Sequence, residues 1–296
     1  MKLWYFRDKQ PNFGDELNHY VWPRVFGSGF FDSNEQTLFL GIGSILFDFH
    51  PREAKKVVLG AGYAGYTDPP DVFDGSWDVV AVRGPRTAEK LGLPRQLAIT
   101  DSAILIRTVE RPPPAEGVKT AFMPHYQSLP RGRWRQACAL AGLTFIDPTD
   151  PTDHVLAQIA GADLLITEAM HGAIVADALR TPWVATAAIQ ASNRDKWSDW
   201  AESLGVDLRL NPLAASSYRE HRILSGRPLR GIARRLVLSP RVAAMLDRPH
   251  VEQAAASLQA LAQAEPQLSR EEAVSRATEQ MLQAVEVVRS RYQPSA

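Results

Sequence analysis

Two rhythms take turns along most of the chain: short continuous apolar runs, and longer stretches with apolar residues at helical spacing. The sharpest case covers residues 162–187. Residues 162–166 are almost wholly apolar, the pattern of a parallel strand covered on both faces. Thr167, Glu168 and Ala169 then turn the chain into a helix that runs to Arg180. Thr167 is the expected N-cap, and Glu168 puts negative charge at the positive end of the helix dipole. Gly172, Ala173 and Ala176 are small enough for this helix to lie close on a sheet. Thr181-Pro182 stops it, and the run from Trp183 to Ala187 starts the next strand.

The same alternation predicts strands at residues 3–6, 38–40, 57–59, 77–84 and 97–100, then at 120–123 and 144–147. Helices are predicted between them, at residues 87–91, 133–141 and 153–160, with one leading to Val25 and one to Leu204. Strands alternating with helices imply α/β architecture with parallel sheets. Residues 111–117, Arg-Pro-Pro-Pro-Ala-Glu-Gly, form the stiffest and most polar connector. They divide the expectation into two Rossmann-like domains, residues 1–111 and 118–212, facing a cleft. Residues 213–296 break the rhythm. They hold a basic stretch with arginines at 222, 227, 230, 234, 235, 241 and 248, then helices rich in Ala, Gln and Glu.

Composition narrows the function. The 33 basic and 33 acidic residues cancel, so no global field draws the chain to nucleic acid. A single cysteine, Cys138, excludes an intrachain disulfide and a cysteine metal cluster and fits a reducing cytoplasm. Its apolar neighbours read as core. Charge at Arg7 and Asp8 interrupts the opening apolar residues too early for a secretory signal, and no apolar run approaches the roughly 18 residues of a membrane span. The basic stretch has two readings: a solvated helix face, or peripheral contact with anionic lipid at the inner face of the membrane.

His171 falls in the first turn of a helix that follows a parallel strand, at the sheet edge where open α/β folds keep their ligands. Free N–H groups there favour an anion, and an arriving phosphate favours an imidazolium able to act as general acid. Packing at the helix start is the competing reading. Arg83 ends a strand, where its fork could grip a carboxylate or phosphate or could be an ordinary ion pair. Arg86 and Lys196 have the same two readings, His125 is either a ligand contact or a packed histidine, and Asp15 is either a base or a helix cap. The glycine turns at 41–43 and 60–62 lack the dinucleotide fingerprint, and no P-loop, zinc-helix or nucleophile-elbow sequence is present. Nothing in the spacing proposes a metal.

Taken together, several segments resemble the polysaccharide pyruvyl transferase family over about residues 1–210. They are Asn12-Phe13-Gly14-Asp15-Glu16-Leu17-Asn18, Ala81-Val82-Arg83-Gly84-Pro85-Arg86-Thr87, Thr100-Asp101-Ser102, Met123-Pro124-His125 and Thr167 to Ala173. Lys196-Trp197 and Leu204-Gly205-Val206 fit the same pattern. The resemblance is nearest to the succinoglycan- and xanthan-type ketal pyruvyltransferases. It implies a GT-B-like scaffold, phosphoenolpyruvate as donor substrate with no cofactor, and a lipid-linked oligosaccharide as acceptor. On this reading His171 is the acid, and Arg83, Arg86, His125, Lys196, Glu168 and Gly172 surround the donor. Asp15 is the base, and Asn12, Asn18 and Gly43 meet the acceptor. Ala169 departs from the family, many of whose members carry arginine there. A nucleotide-sugar glycosyltransferase and a non-catalytic polysaccharide-assembly protein are the alternatives.

Overall fold

The computed structural model describes residues 1–187, 194–227 and 240–293. Its framework is a pair of wholly parallel sheets. The first contains β1 (Lys2–Trp4), β2 (Thr37–Leu40), β3 (Lys55–Leu59) and β4 (Trp77–Ala81), side by side in chain order. The second contains β5 (Thr120–Met123), β6 (Thr144–Phe145), β7 (Leu164–Thr167), β8 (Trp183–Thr186) and β9 (Leu210–Asn211), in the order β6-β5-β7-β8-β9. This 2-1-3-4-5 arrangement reverses direction between β5 and β7. Such a switch point opens a crevice beyond the strands' carboxyl ends.

The connecting helices are α1 (Phe13–Phe26), α2 (Pro85–Lys90), α3 (Trp134–Ala141), α4 (Thr152–Gly161), α5 (Met170–Leu179), α6 (Arg194–Ser203) and α7 (Tyr218–Leu224). Eight of the ten residues of α5 are buried. A helix apolar on all sides needs cover on all sides. It finds cover in β7, β8 and α4 of its own half, and in α1 and a 3-10 segment (Ser102–Thr108) from the first half. The largest buried cluster accordingly runs unbroken from Phe13, Phe39 and Val57 through Ile104 to Ile174 and Trp183.

After α7 the chain continues into α8 (Pro240–Leu261), which packs on α3, and α9 (Glu271–Tyr292), which returns to β3 and β4. Between them, Gln267 bridges Trp183, and the Ser269 amide donates to Asp177 Oδ1 at 2.8 Å near the end of α5. Arg291 Nη1 and the Tyr292 hydroxyl then donate to the Asp78 carboxylate of β4 at 2.7 and 2.8 Å. Cys138 is buried in the core around Phe122 and Trp134, and burial pushes its thiol up to about 12.

Two local expectations need correction. Residues 97–100 are not a strand: Arg95–Leu97 is a 3-10 turn, and only Ala98 bridges β4's continuation at Val82. Pro94 starts that turn, and the Asp101 side chain, accepting from the Ala103 amide at 3.0 Å, starts the next 3-10 segment. A single residue is left for the ladder. Thr167 is not the N-cap of α5, which is Ala169. Thr167 Oγ1 instead accepts from the Ala169 amide at 3.0 Å and lies 3.1 Å from the Met123 carbonyl, tying the turn to β5.

Candidate active site

The carboxyl ends of both sheets face one cavity of about 400 Å³. From the first half it is lined by Phe6 and Asp8 after β1, by Asn12 and Asp15 at the start of α1, by Gly43 to Phe49 after β2, and by Tyr66 after β3. From the second half come His125 to Gln127 after β5, Ala169 to His171 at the start of α5, and Lys196 on α6. The β5 and β7 loops flank the switch point, so topology decides where this side of the cavity lies. A larger groove of about 720 Å³ lies between α3 and α8, but helix side chains line it, and its Arg133 and Asp247 already pair at 2.9 Å.

Loops from the two halves are tied at the rim. The Tyr126 hydroxyl donates to Asp8 Oδ2 at 3.0 Å, and the Phe13 amide donates to the Pro148 carbonyl at 2.8 Å. Inside, Asn12 Nδ2 donates to Asp15 Oδ2 at 2.8 Å. Burial raises the Asp15 carboxyl above its ordinary range, against the effect of that hydrogen bond and of nearby His171 and Lys196. Burial, and then the nearby Arg83 guanidinium, lowers the Lys196 ammonium to about 8, with Asp15 and Asp101 pulling the other way. Burial, and then the charge on Lys196, pushes His125 down to about 3. His125 is therefore neutral at physiological pH. Its Nδ1 accepts from the Gln127 amide at 3.3 Å, so the ring proton sits on Nε2.

His171 is the second residue of α5, and its side chain is 14% exposed. Its Nδ1 lies against Gly14, where a Cβ would come within 2.1 Å of it. Glycine at 14 is thus the condition for the ring's placement. On the far side, Nε2 lies 3.7 Å from Asp101 Oδ2. The Gly172 and Ala173 amides donate to the Ala169 carbonyl at 2.9 and 3.3 Å, so the N–H groups that a helix start of this kind offers to an anion are those of Met170 and His171.

Comparison with known proteins decides the family. A model described as polysaccharide pyruvyl transferase matches residues 7–187. The chain is also 37% identical over 233 residues to a protein of Rhizobium meliloti (strain 1021) described as "Succinoglycan biosynthesis protein ExoV", covering 77% of this chain and 72% of that one. The chain belongs to the polysaccharide pyruvyl transferase family. It is a polysaccharide pyruvyltransferase. No solved structure matches it.

In this pyruvyltransferase, the cavity brings together His171, Asp15, Asn12, Gly43, His125 and Lys196, as expected of a site. Lys196 stands on α6. Five other expected contacts have different surroundings. Arg83 is fully buried and does not line the cavity. Its Nε donates to Asp199 Oδ2 at 2.9 Å, Nη1 to Ser44 Oγ at 2.6 Å and Nη2 to the Tyr63 carbonyl at 3.1 Å. Asp199 also accepts from the amides of Arg86 and Thr87 at the start of α2, at 2.9 and 3.0 Å, so one carboxylate of α6 closes both the arginine fork and a helix end. Gly84 permits this approach, since a Cβ there would meet the Asp199 carbonyl oxygen at 2.0 Å. The Arg83-to-Thr87 motif is a seat for α6.

Arg86 is a half-exposed ion pair with Glu202 at 2.6 Å and does not line the cavity. Asn18 is fully buried and structural: its Nδ2 reaches the Asp15 and Ile42 carbonyls, and its Oδ1 accepts from Trp22 Nε1 and the Ile42 amide. All four of its hydrogen-bonding places are used. Gly172 serves packing, for a Cβ there would meet Thr167 Oγ1 at 2.7 Å and Met123 Sδ at 3.0 Å. Glu168 is buried and accepts from the His125 amide at 2.9 Å, holding the β5 loop to the β7 loop.

The residues that sequence reading missed are aromatic. Phe6 is 44% exposed, Phe49 61% and Tyr66 48%, and all three line the cavity. Phe49 stacks on Phe47 with centroids 4.7 Å apart. They lie on three loops from three strands of one sheet. Only the shared sheet edge brings them together, so no local motif marks them.

Proposed function

We propose that this enzyme transfers the enolpyruvyl carbons of phosphoenolpyruvate to a sugar of an exopolysaccharide repeat unit, forming a cyclic pyruvate ketal and releasing phosphate. The two sheets are then the Rossmann-like halves of a GT-B-like arrangement, with the cavity between them. The observation that carries the reading is the convergence, at one switch point, of His171, a helix N-terminus and Lys196. The first is a proton donor, and the other two favour a bound phosphate or carboxylate. Ala169 leaves no arginine at that position, and Lys196 is the one Lys or Arg lining the cavity among the described residues. Arg83 acts indirectly, by holding α6.

In the reaction His171 donates a proton to the methylene carbon, and the C2 centre becomes oxocarbenium-like. One sugar hydroxyl adds to C2 while Asp15 takes its proton. The C2–O bond to phosphate breaks, and a second hydroxyl closes the ketal. Of the two hydroxyl protons, one balances that placed on the new methyl group and the other leaves with phosphate. A carboxyl raised by burial is a better base than an ordinary one. Asn12, Gly43 and the aromatic rim border the acceptor. An exposed aromatic face covers the apolar side of a sugar ring and leaves the hydroxyls free.

The acceptor is read as lipid-linked. Contact of the basic stretch with anionic membrane rests on its sequence, because Arg230, Arg234 and Arg235 lie outside the described residues. Among the described residues no helix is long and apolar enough to cross a membrane.

Purified protein incubated with phosphoenolpyruvate and a glucose- or galactose-ended oligosaccharide should add one ketal-linked pyruvyl group by mass and release one phosphate per product. His171→Ala should remove both signals while the protein stays folded. Thermal stabilisation by UDP or GDP in place of phosphoenolpyruvate would overturn the reading in favour of a glycosyltransferase.

A further inference from the structure

Two buried polar atoms beside the cavity are left without hydrogen-bond partners, and they face each other. Asp101 is fully buried. Its Oδ1 is used, accepting from the Ala103 amide at 3.0 Å. Its Oδ2 has no hydrogen bond, and neither does His171 Nε2, 3.7 Å away and also buried. A carboxylate oxygen left unpaired in the interior is costly, so a site that keeps one presents it to a partner. Here the partner is the ring that already lines the cavity, and hydrogen-bonding distance is roughly half an ångström nearer than the present separation.

The neighbourhood fixes Asp101 from both sides. The 3-10 segment that it starts is packed against α5. The preceding residue, Thr100, accepts through Oγ1 from Ser203 Oγ at 2.9 Å on α6, the helix that carries Lys196. Asp15, Lys196 and His125 line the same cavity as the ring.

We propose that Asp101 is the positioning residue for His171. Its Oδ2 accepts the Nε2 proton and so assigns the transferable proton to Nδ1, the nitrogen beside Gly14, which lines the cavity. It also stabilises the ring when Nδ1 carries that proton. A base or acid held in one tautomer by a buried carboxylate is a recurring arrangement, and losing the carboxylate leaves the ring in place with the proton on the wrong nitrogen. The inference rests on His171 being the acid.

Asp101→Asn separates the two functions of the side chain. The amide keeps an oxygen for the Ala103 amide and turns an N–H group toward Nε2. Turnover should fall about 100-fold, with the KM for phosphoenolpyruvate changed less than about twofold and the unfolding midpoint close to wild type. ¹⁵N spectra of the imidazole should show His171 protonated on Nε2 in the wild-type protein and shifted to Nδ1 in the variant. Wild-type turnover in Asp101→Asn, or a neutral Nδ1–H tautomer in the wild-type protein, would overturn the proposal. The second measurement stands even if the variant fails to fold. The His171 reading fails separately, through an active His171→Ala.

Discussion

The two sheets meet at one cavity but equip it differently. In the second sheet the strand order reverses between β5 and β7, and the switch point delivers a helix N-terminus, His171 and the His125 loop to one place. The first sheet runs in chain order and has no reversal. Its contribution is a carboxylate at Asp15 in the first turn of α1, and exposed rings on loops at Phe6, Phe49 and Tyr66. On the proposed reading, the proton donor is placed by topology, and the rings that border the acceptor are carried on loops. The contrast agrees with the general division between rigid scaffold and variable binding segments.

The strongest way to break the comparison is to separate its halves. Arg83→Ala removes one member of a buried ion pair and strands Asp199, which should cost about 3–5 kcal/mol in denaturant unfolding. Arg86→Ala, which breaks only an exposed pair, should cost under about 1 kcal/mol. Equal losses would mean that the buried fork is not what seats α6. Next comes a point where the first half sets the position of His171. Gly14→Ala puts a methyl group 2.1 Å from the present position of Nδ1 and must displace the ring. A shift of about 1 Å at a reacting group costs on the order of 100-fold, so turnover should fall by that order with little change in melting temperature.

Lys196 tests the ionic end. With its ammonium lowered to about 8, it is charged below that pH and neutral above it. Affinity for phosphoenolpyruvate should therefore be fully present near neutrality and weaken as pH rises through 8. Lys196→Gln should raise the KM about tenfold at pH 7, the order expected for one charge-assisted hydrogen bond. It should also flatten the alkaline rise. A variant that keeps the alkaline rise would assign that titration to another group. The smallest effect is expected at the rim. Phe49→Ala should raise the acceptor KM about two- to tenfold, as for loss of one aromatic contact, and leave the donor KM unchanged. A larger change in the donor KM would erase the distinction between the two ends.

What the sequence makes legible is local. The β7–α5–β8 unit is continuous in the chain and apolar enough to declare itself, so the residues on either side of His171 suffice to place it. Lys196 can be named from sequence but not placed, since nothing adjacent to it tells that α6 turns it toward the cavity. Arg83 marks the limit. A strand ending in arginine is visible, but the carboxylate that occupies it lies 116 positions away. Asn18 misleads for a similar reason, because two of its four hydrogen bonds are to Ile42, across a strand and a loop. Residues 97–100 show the weakness of short apolar runs, where a proline turn and an Asp turn outweigh β propensity. Asp101 is visible as part of a motif, but only its distance to His171 gives it a task.

The near-complete burial of α5 also bears on how such an enzyme can change. A helix with eight of ten residues enclosed offers almost no surface on which substitutions can accumulate unnoticed. Enlarging Ala173, Ala176 or Gly172 would shift the His171 ring by the width of the misfit, so selection for proton transfer and selection for packing act on the same atoms. The rim loops carry no such double duty. On the proposed function, acceptor preference can drift through Phe6, Phe49 and Tyr66 while the surroundings of His171 stay fixed, and new sugar specificities should be sought there first.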